Sequence, residues 1–311
     1  MPSALLVYNP VAGRYPSRLL TERAADVLEA YGWQVDIKTT IDGSQISRLA
    51  QQAVQERKDS LIIVGGDGSL NKALPSLVGT ETALGVLPAG TANVWAQELG
   101  LPGLSWTRWK ALEESAHRLA RGGIRRVDIG KCNEKYFLLW SGIGIDAFIV
   151  HRIEPRKQWE KNFTLVRYAA SAVWSASRWH GVNIRVMTDS SQIEGKFMLV
   201  EVSNIRLYAG GLATLSPQAT LDDGLMELWL FDGESIEELL QQAWLLWSGR
   251  HVDSERVQLV QFNQIVLESD TQIYLQMDGE PEVGDMRVAI SVLPRQLKVM
   301  MPEGVPSSLF H

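Results

Sequence analysis

The chain has 311 residues, 45% of them apolar and 21% charged, which suits about two globular domains with a sizeable core and excludes a disordered chain. Its net charge of −6 argues against a nucleic-acid partner, because neutralising phosphates takes a surplus of Lys and Arg. One cysteine, Cys132, excludes an intramolecular disulfide and fits a reducing compartment, and the five histidines show no metal-ligand spacing.

The N-terminus runs into MPSALLVYNP without a basic or long apolar leader, so a cytoplasmic protein is expected. Residues 4–8, 34–39, 60–65 and 83–87 are short apolar runs alternating with amphipathic runs at 17–31, 45–56 and 69–77. That rhythm predicts strands and helices in turn, hence a doubly wound parallel sheet over residues 1–124. Ligands bind at the carboxyl ends of such strands. There the sequence places NPVAG, TTIDG, GGDGS and PAGTAN, one after each strand.

From about residue 125 the pattern changes to alternating runs at 125–130, 183–188, 196–203, 225–230, 273–277 and 287–293. These predict a mainly antiparallel, sandwich-like domain over residues 125–293, with helices at 159–179 and 235–248. The longest apolar run, 136–150, is broken by Ser141, Gly142, Gly144 and Asp146, and falls short of the roughly 20 residues a membrane-spanning helix needs. The eleven tryptophans read as packing residues.

In 60–72 an apolar strand meets GGDGS and then a helix. Glycines let the backbone approach a ligand closely, and unpaired N–H groups at the helix start favour an anion, so phosphate is the expected guest. Asp67 repels phosphate, and its expected task is to hold Mg²⁺ directly or through water. Taken alone the segment is equally a plain strand-turn-helix corner. Asn9 to Gly13 and Gly90 to Asn93 at equivalent strand ends favour a shared ligand. Downstream, Asp278-Gly279-Glu280 and Asp222-Asp223-Gly224 read singly as tight turns.

The ordered set NPVAG, GGDGSLNKAL, LGVLPAGTANVWAQELGLP, SNIRLYAGGLATLSPQATLDDGLMEL and QMDGEP resembles the bacterial lipid kinases of the diacylglycerol kinase and sphingosine kinase family, over essentially the whole chain. The resemblance implies an ATP-dependent kinase of a lipid hydroxyl with its active site in an interdomain cleft, and a last strand within 294–308 returning to the first domain. Diacylglycerol is the default acceptor, with a sphingoid base or phosphatidylglycerol as alternatives. Matched motif by motif, Asn9, Pro10 and Gly13 line the ATP phosphates. So do Gly65, Gly66, Asp67, Gly68, Ser69, Asn71 and Lys72. Thr40, Gly90, Thr91 and Asn93 complete the nucleotide site. Asp278 is then the general base, Glu280 its electrostatic neighbour and Asp67 an acidic member of the catalytic set. A structural Mg²⁺ falls to Asp223 with the carbonyls of Thr220 and Leu225.

The chain departs from the family pattern at Lys72, where relatives usually carry Glu, and at Val94, where Asp is common. Lys72 is expected to meet a phosphate oxygen as a point charge. Residues 151–179 combine Arg152, Arg156, Lys157, Lys161 and Arg167 with Trp159, Phe163, Trp174 and Trp179, which suits peripheral contact with the inner membrane face as well as it suits an ordinary surface helix. A homodimer is compatible with all of this. Two competing readings remain, an NAD or sugar-phosphate kinase and a regulator built on an altered kinase site. The first leaves SPQAT, LDDG and DGE unexplained.

Overall fold

The computed structural model describes residues 1–9, 17–41, 43–105, 107–153, 181–188 and 191–311. Within them the chain forms two compact units. Met1–Ile129, Leu221–Asp223 and Pro294–His311 make one, and Gly130–Thr220 with Gly224–Leu293 the other.

The first unit alternates as the sequence predicts: β1 (Ser3–Tyr8), α1 (Ser17–Ala30), β2 (Gln34–Thr39), α2 (Ser44–Gln55), β3 (Ser60–Gly65), α3 (Asp67–Leu77), β4 (Ala83–Pro88), then α4 (Val94–Glu98) and α5 (Ala111–Arg121). The strands are parallel; β1 pairs with both β2 and β3, and β3 pairs with β4. β3 and β4 are buried along their whole length, which is why they read as unbroken apolar runs, whereas β2 is polar and largely exposed, as an edge strand should be. Ala4, Leu6, Ile62 and Val64 pack with Leu20, Ala24 and Leu28 of α1 and with Leu112 and Ala116 of α5. α2 and α3 pack on one another, burying Ile46, Leu49 and Ala53 against Leu70, Ala73 and Leu77. Because the strand order is β2-β1-β3-β4, the direction of winding reverses between β1 and β3, and the ligand crevice of such a sheet opens at that point.

β5 (Gly123–Cys132) starts in the first unit and ends in the second, which continues through β6 (Lys135–Phe137), β7 (Trp140–Gly144), α6 (Ile145–Ile153), β8 (Val182–Met187), β9 (Gln192–Ser203), β10 (Leu207–Tyr208) and β11 (Ala213–Thr214). Then come β12 (Met226–Asp232), α7 (Ile236–Trp247), β13 (Val257–Phe262), β14 (Gln264–Glu268), β15 (Tyr274–Met277), β16 (Glu280–Val283) and β17 (Arg287–Met301), whose residues from Pro294 onward belong to the first unit. Pairing is antiparallel. β9 changes partners along its length, pairing with β8 over residues 192–197 and with β7 over 199–203, and this lets one strand serve two layers. Ile184, Val200, Val202, Leu228, Leu267, Leu275 and Ile290 meet in one apolar core.

Two details differ from the sequence reading. The apolar run 136–150 is split, with β7 giving way at Gly144 to the helix α6, where positive φ marks the corner. The run at 287–293 and the last strand expected within 294–308 are one strand of 15 residues, β17, which crosses Pro294 with a left-handed Arg295. Its early part pairs with β14 and its Val299 pairs in parallel with Leu84 of β4. The helix expected at 159–179 lies outside the described residues.

Candidate active site

In the first unit the turns after β3 and β4 touch backbone to backbone. A β-carbon added to Gly90 would stand 2.5 Å from the Gly66 α-carbon, so the close approach demands glycine. Gly65 is paired with Pro88, and Ala89 N–H donates to the Gly65 carbonyl at 3.1 Å. Asn93 ties its own turn, accepting from Gly90 N–H at 2.8 Å and donating to the Gly90 carbonyl at 3.0 Å from a left-handed backbone. Gly66, extended, stands directly before α3, whose first residues are Asp67, Gly68 and Ser69. The leading N–H groups of a helix have no intrahelical acceptor and, with the helix dipole, attract an anion. Asn71 follows in the same helix, and Thr91 lies exposed in the β4–α4 turn.

Asp67 spans these two turns. Its carboxylate accepts from Val94 N–H at 2.9 Å and Trp95 N–H at 3.0 Å, capping the short helix α4 from outside that helix. Burial pushes this carboxyl up, offset in part by the same N–H donors. Both oxygens being so engaged, a cation near Asp67 is better held through water than directly. Val94, a departure from the family pattern, contributes its N–H to the bond.

Thr40 is fully buried; its hydroxyl donates to the Tyr8 carbonyl at 3.3 Å and its N–H to the same oxygen at 2.9 Å. It braces the ends of β1 and β2 from beneath the surface. Asn9 lies at the end of β1, half-buried, whereas Pro10 and Gly13 lie outside the described residues, as does Asp42 of TTIDG. Lys72, exposed on α3, reaches to Gly43 at the start of α2 rather than over the glycine turn that precedes it.

In the second unit, DGE is the turn of the β15–β16 hairpin, with Met277 opposite Glu280. Asp278 and Gly279 both have positive φ, +49° and +81°, the geometry of a tight two-residue hairpin loop. For aspartate that conformation is uncommon, and here it is held from outside. The buried Asp278 carboxylate accepts from the N–H groups of Leu138 at 2.9 Å, Leu139 at 2.8 Å and Trp140 at 3.2 Å, while its own N–H donates to the Trp140 carbonyl at 3.0 Å. Glu280, next in the hairpin, is exposed.

Beneath this turn lies a group that the sequence reading missed. Asp146 of α6 and Glu201 of β9 are both buried and face one another over Gly142, where a β-carbon would collide with both carboxyls. Gln276 Nε2 donates to Asp146 at 3.0 Å and to Glu201 at 3.1 Å, and its Oε1 accepts from Gly279 N–H at 2.9 Å. Burial, and the neighbouring Asp146 carboxylate, hold Glu201 well above the usual carboxylate range. Burial likewise raises Asp146. Two carboxyls this close in low dielectric favour keeping one proton between them. A signal was available: each is the lone charge in its apolar run, FMLVEVSN and IGIDAFIV.

In the LDDG turn, Asp222 is taken up by its neighbours: Arg295 donates to its carbonyl at 2.9 and 3.0 Å, and the His311 N–H to Oδ1 at 2.8 Å. Asp223 is exposed, Gly224 has φ +78°, and the Thr220 hydroxyl is buried without a partner. Among the described residues, three or more His, Cys, Asp or Glu side chains nowhere cluster as a metal centre. A cation at this turn would therefore be held by one carboxylate and by carbonyl oxygens. That all-oxygen set, beside an orphaned hydroxyl, fits a hard divalent ion.

The diacylglycerol kinase catalytic domain family matches residues 3–132, and the YegS C-terminal NAD kinase beta sandwich-like domain family matches residues 141–301. The chain belongs to the diacylglycerol kinase and YegS family. It is 26% identical over 309 residues to a diacylglycerol kinase of Bacillus subtilis (strain 168), covering 97% of each chain. Against a diacylglycerol kinase of Mycobacterium tuberculosis (strain ATCC 25618 / H37Rv) it is 28% identical over 289 residues, 91% of this chain and 87% of the relative. The crystal structure of a diacylglycerol kinase from Bacillus anthracis str. Sterne shares the fold with a TM-score of 0.74 at 20% identity, covering 97% of this chain and 98% of that one. The family expected from the motifs is thus the family found, and the protein is a lipid kinase of that family, with ATP as phosphate donor. No helix of this kinase, among the described residues, is long and apolar enough to cross a membrane.

Proposed function

We propose that the protein phosphorylates the free hydroxyl of diacylglycerol, giving phosphatidic acid and ADP, with Asp278 as general base. The observation that carries this reading is the fixation of the Asp278 carboxylate by three backbone N–H groups on a left-handed hairpin residue. The left-handed Asp-Gly backbone serves the two-residue hairpin in any case, but a carboxylate fixed by three N–H groups from residues 138–140 is what a positioned base requires. The relatives named diacylglycerol kinase support the acceptor.

On this reading the glycine turns at Gly65–Gly66 and Gly90, with the first N–H groups of α3, receive the phosphates. Asp278 accepts the acceptor's proton as its oxygen bonds to the γ-phosphorus and the bond to the ADP oxygen breaks, and Glu280 biases the local field. Mg²⁺, when bound with the nucleotide, neutralises charge on the transferring group. Asp67 would hold it through water. A second, structural Mg²⁺ would be held by Asp223 with the carbonyls of Thr220 and Leu225.

The test is transfer from γ-labelled ATP to a panel of diacylglycerol, phosphatidylglycerol and a sphingoid base. Diacylglycerol should take the label, and Asp278→Asn should reduce transfer about 10²-fold or more. Equal labelling by the variant would remove Asp278 from its role, and labelling of another lipid alone would replace the acceptor.

A further inference from the structure

The second unit leaves one apolar stripe in solvent. α7 begins at a capping box in which the Ser235 hydroxyl accepts from Glu238 N–H, and its Gln242 and Leu246 are buried, Leu246 against Leu215, Trp229 and Phe231. On its other side Leu240, Trp244 and Trp247 are 57%, 59% and 65% exposed. Their spacing, i, i+4, i+7, lines one helix face. The two indole rings lie 5.2 Å apart, and the exposed Val252 follows just past the helix. Residues 239–249, LLQQAWLLWSG, carry no charge.

We propose that this stripe seats the kinase on the bilayer that carries its acceptor, with Leu240, Trp244 and Trp247 entering the boundary between headgroups and acyl chains. The proposal rests on the lipid-kinase reading above. Three features select a bilayer as the occupant. Indole, apolar in body with one polar N–H, suits the membrane–water boundary, and an uncharged face needs no complementary protein. Leu240, Trp244, Trp247 and Val252 are far fewer than the about 20–30 residues that each partner of a stable dimer buries. It is also continuous with the proposed base. α7 packs on β11, β11 pairs with β10, and Tyr208 of β10 stacks edge-on against Trp140 at 5.5 Å. The Trp140 N–H in turn donates to Asp278. Leu212, between β10 and β11, is also exposed and widens the patch toward that side.

Because the stripe is uncharged, attachment should be insensitive to salt and to anionic lipid, whereas a basic segment such as 151–179 would bind in a salt-dependent way. The experiment uses the full chain, vesicles of phosphatidylcholine with and without phosphatidylglycerol, and low and high salt. The wild type should co-sediment in all four conditions. Trp244→Gln/Trp247→Gln, with the rings already in water, should keep the wild-type melting temperature, lose vesicle binding about tenfold or more, and lose turnover of vesicular diacylglycerol in parallel. It should keep the wild-type kcat/KM for a short-chain diacylglycerol dispersed as monomers. Leu240→Gln gives an independent, smaller loss. Undiminished binding by these variants, or wild-type binding abolished by salt, overturns the proposal. So does a fall in solution mass from dimer to monomer in the variant, which assigns the stripe to a second copy of the chain. Should the wild type phosphorylate none of the lipids, the acceptor reading fails while sedimentation still reports on the stripe.

Discussion

The ammonium of Lys72 lies against Gly43, in the space a β-carbon there would fill. One residue is on the helix after β3 and the other starts the helix after β2, so the lysine that replaces the family's usual glutamate sets a positive charge at the β2 end of the strand row. Among the described residues no ion pair neutralises it, and an ATP phosphate is the natural counter-ion. Lys72→Ala should raise the KM for ATP several-fold with kcat little changed, the mark of lost uniform binding. Gly43→Ala should shift the same parameter part of the way, because the flexible end of the lysine can move aside, and should leave the melting temperature nearly unaltered. Steady-state kinetics at varied ATP checks both; an unchanged KM in the two variants removes Lys72 from the nucleotide site.

Asp67 is expected to matter for stability as well as for turnover. Asp67→Ala leaves the N–H groups of Val94 and Trp95 without their acceptor, at a cost of about 1–3 kcal/mol. Asp67→Asn, which keeps one acceptor oxygen, should cost less. Urea unfolding measures the difference, and a midpoint for Asp67→Ala equal to wild type would refute the capping role.

The buried pair makes stability depend on pH. Burial and the neighbouring Asp146 raise the folded pKa of Glu201 well above the ordinary carboxylate range, so the folded state holds a proton that the unfolded chain releases. Its contribution is fully present below the unfolded pKa and is lost as pH rises through the folded one. Glu201→Gln, neutral at every pH, should therefore gain on the wild type as pH increases. Denaturant unfolding at successive pH values from acid to mildly alkaline should show the two curves converging or crossing. Parallel curves would mean that Glu201 is ionised in the folded protein.

A cation at the LDDG turn should appear in unfolding experiments independently of catalysis. Chelator should lower the wild-type melting temperature, Mg²⁺ should restore it by mass action, and Asp223→Ala should lie at the chelated value with no further response. Asp222→Asn, whose main-chain carbonyl still receives Arg295, should retain the response. Indifference of the wild type to chelator would exclude a structural ion there.

Burial holds the Cys132 thiol up at about 12, so the native protein should resist alkylation near pH 8 and react only once unfolded. Mass spectrometry after alkylation with and without denaturant reads this directly.

Much of this was legible in the sequence because it is local or periodic. Runs such as SLIIVG and ALGVLP are strands by composition, GGDGS and PAGTAN are turns by glycine content, and their order along the chain pointed to the family. A sequence alone could not show that Gly66 and Gly90 touch, that Asp67 caps a helix starting 27 positions later, or that Gln276 binds both Asp146 and Glu201. Those partners lie far apart in the chain, and their meeting depends on strand order and register. Nor does QAWLLW by itself say which side faces water, because it is apolar on every face. Packing of Leu246 against Trp229 and Phe231 decides that, turning Trp244 and Trp247 outward.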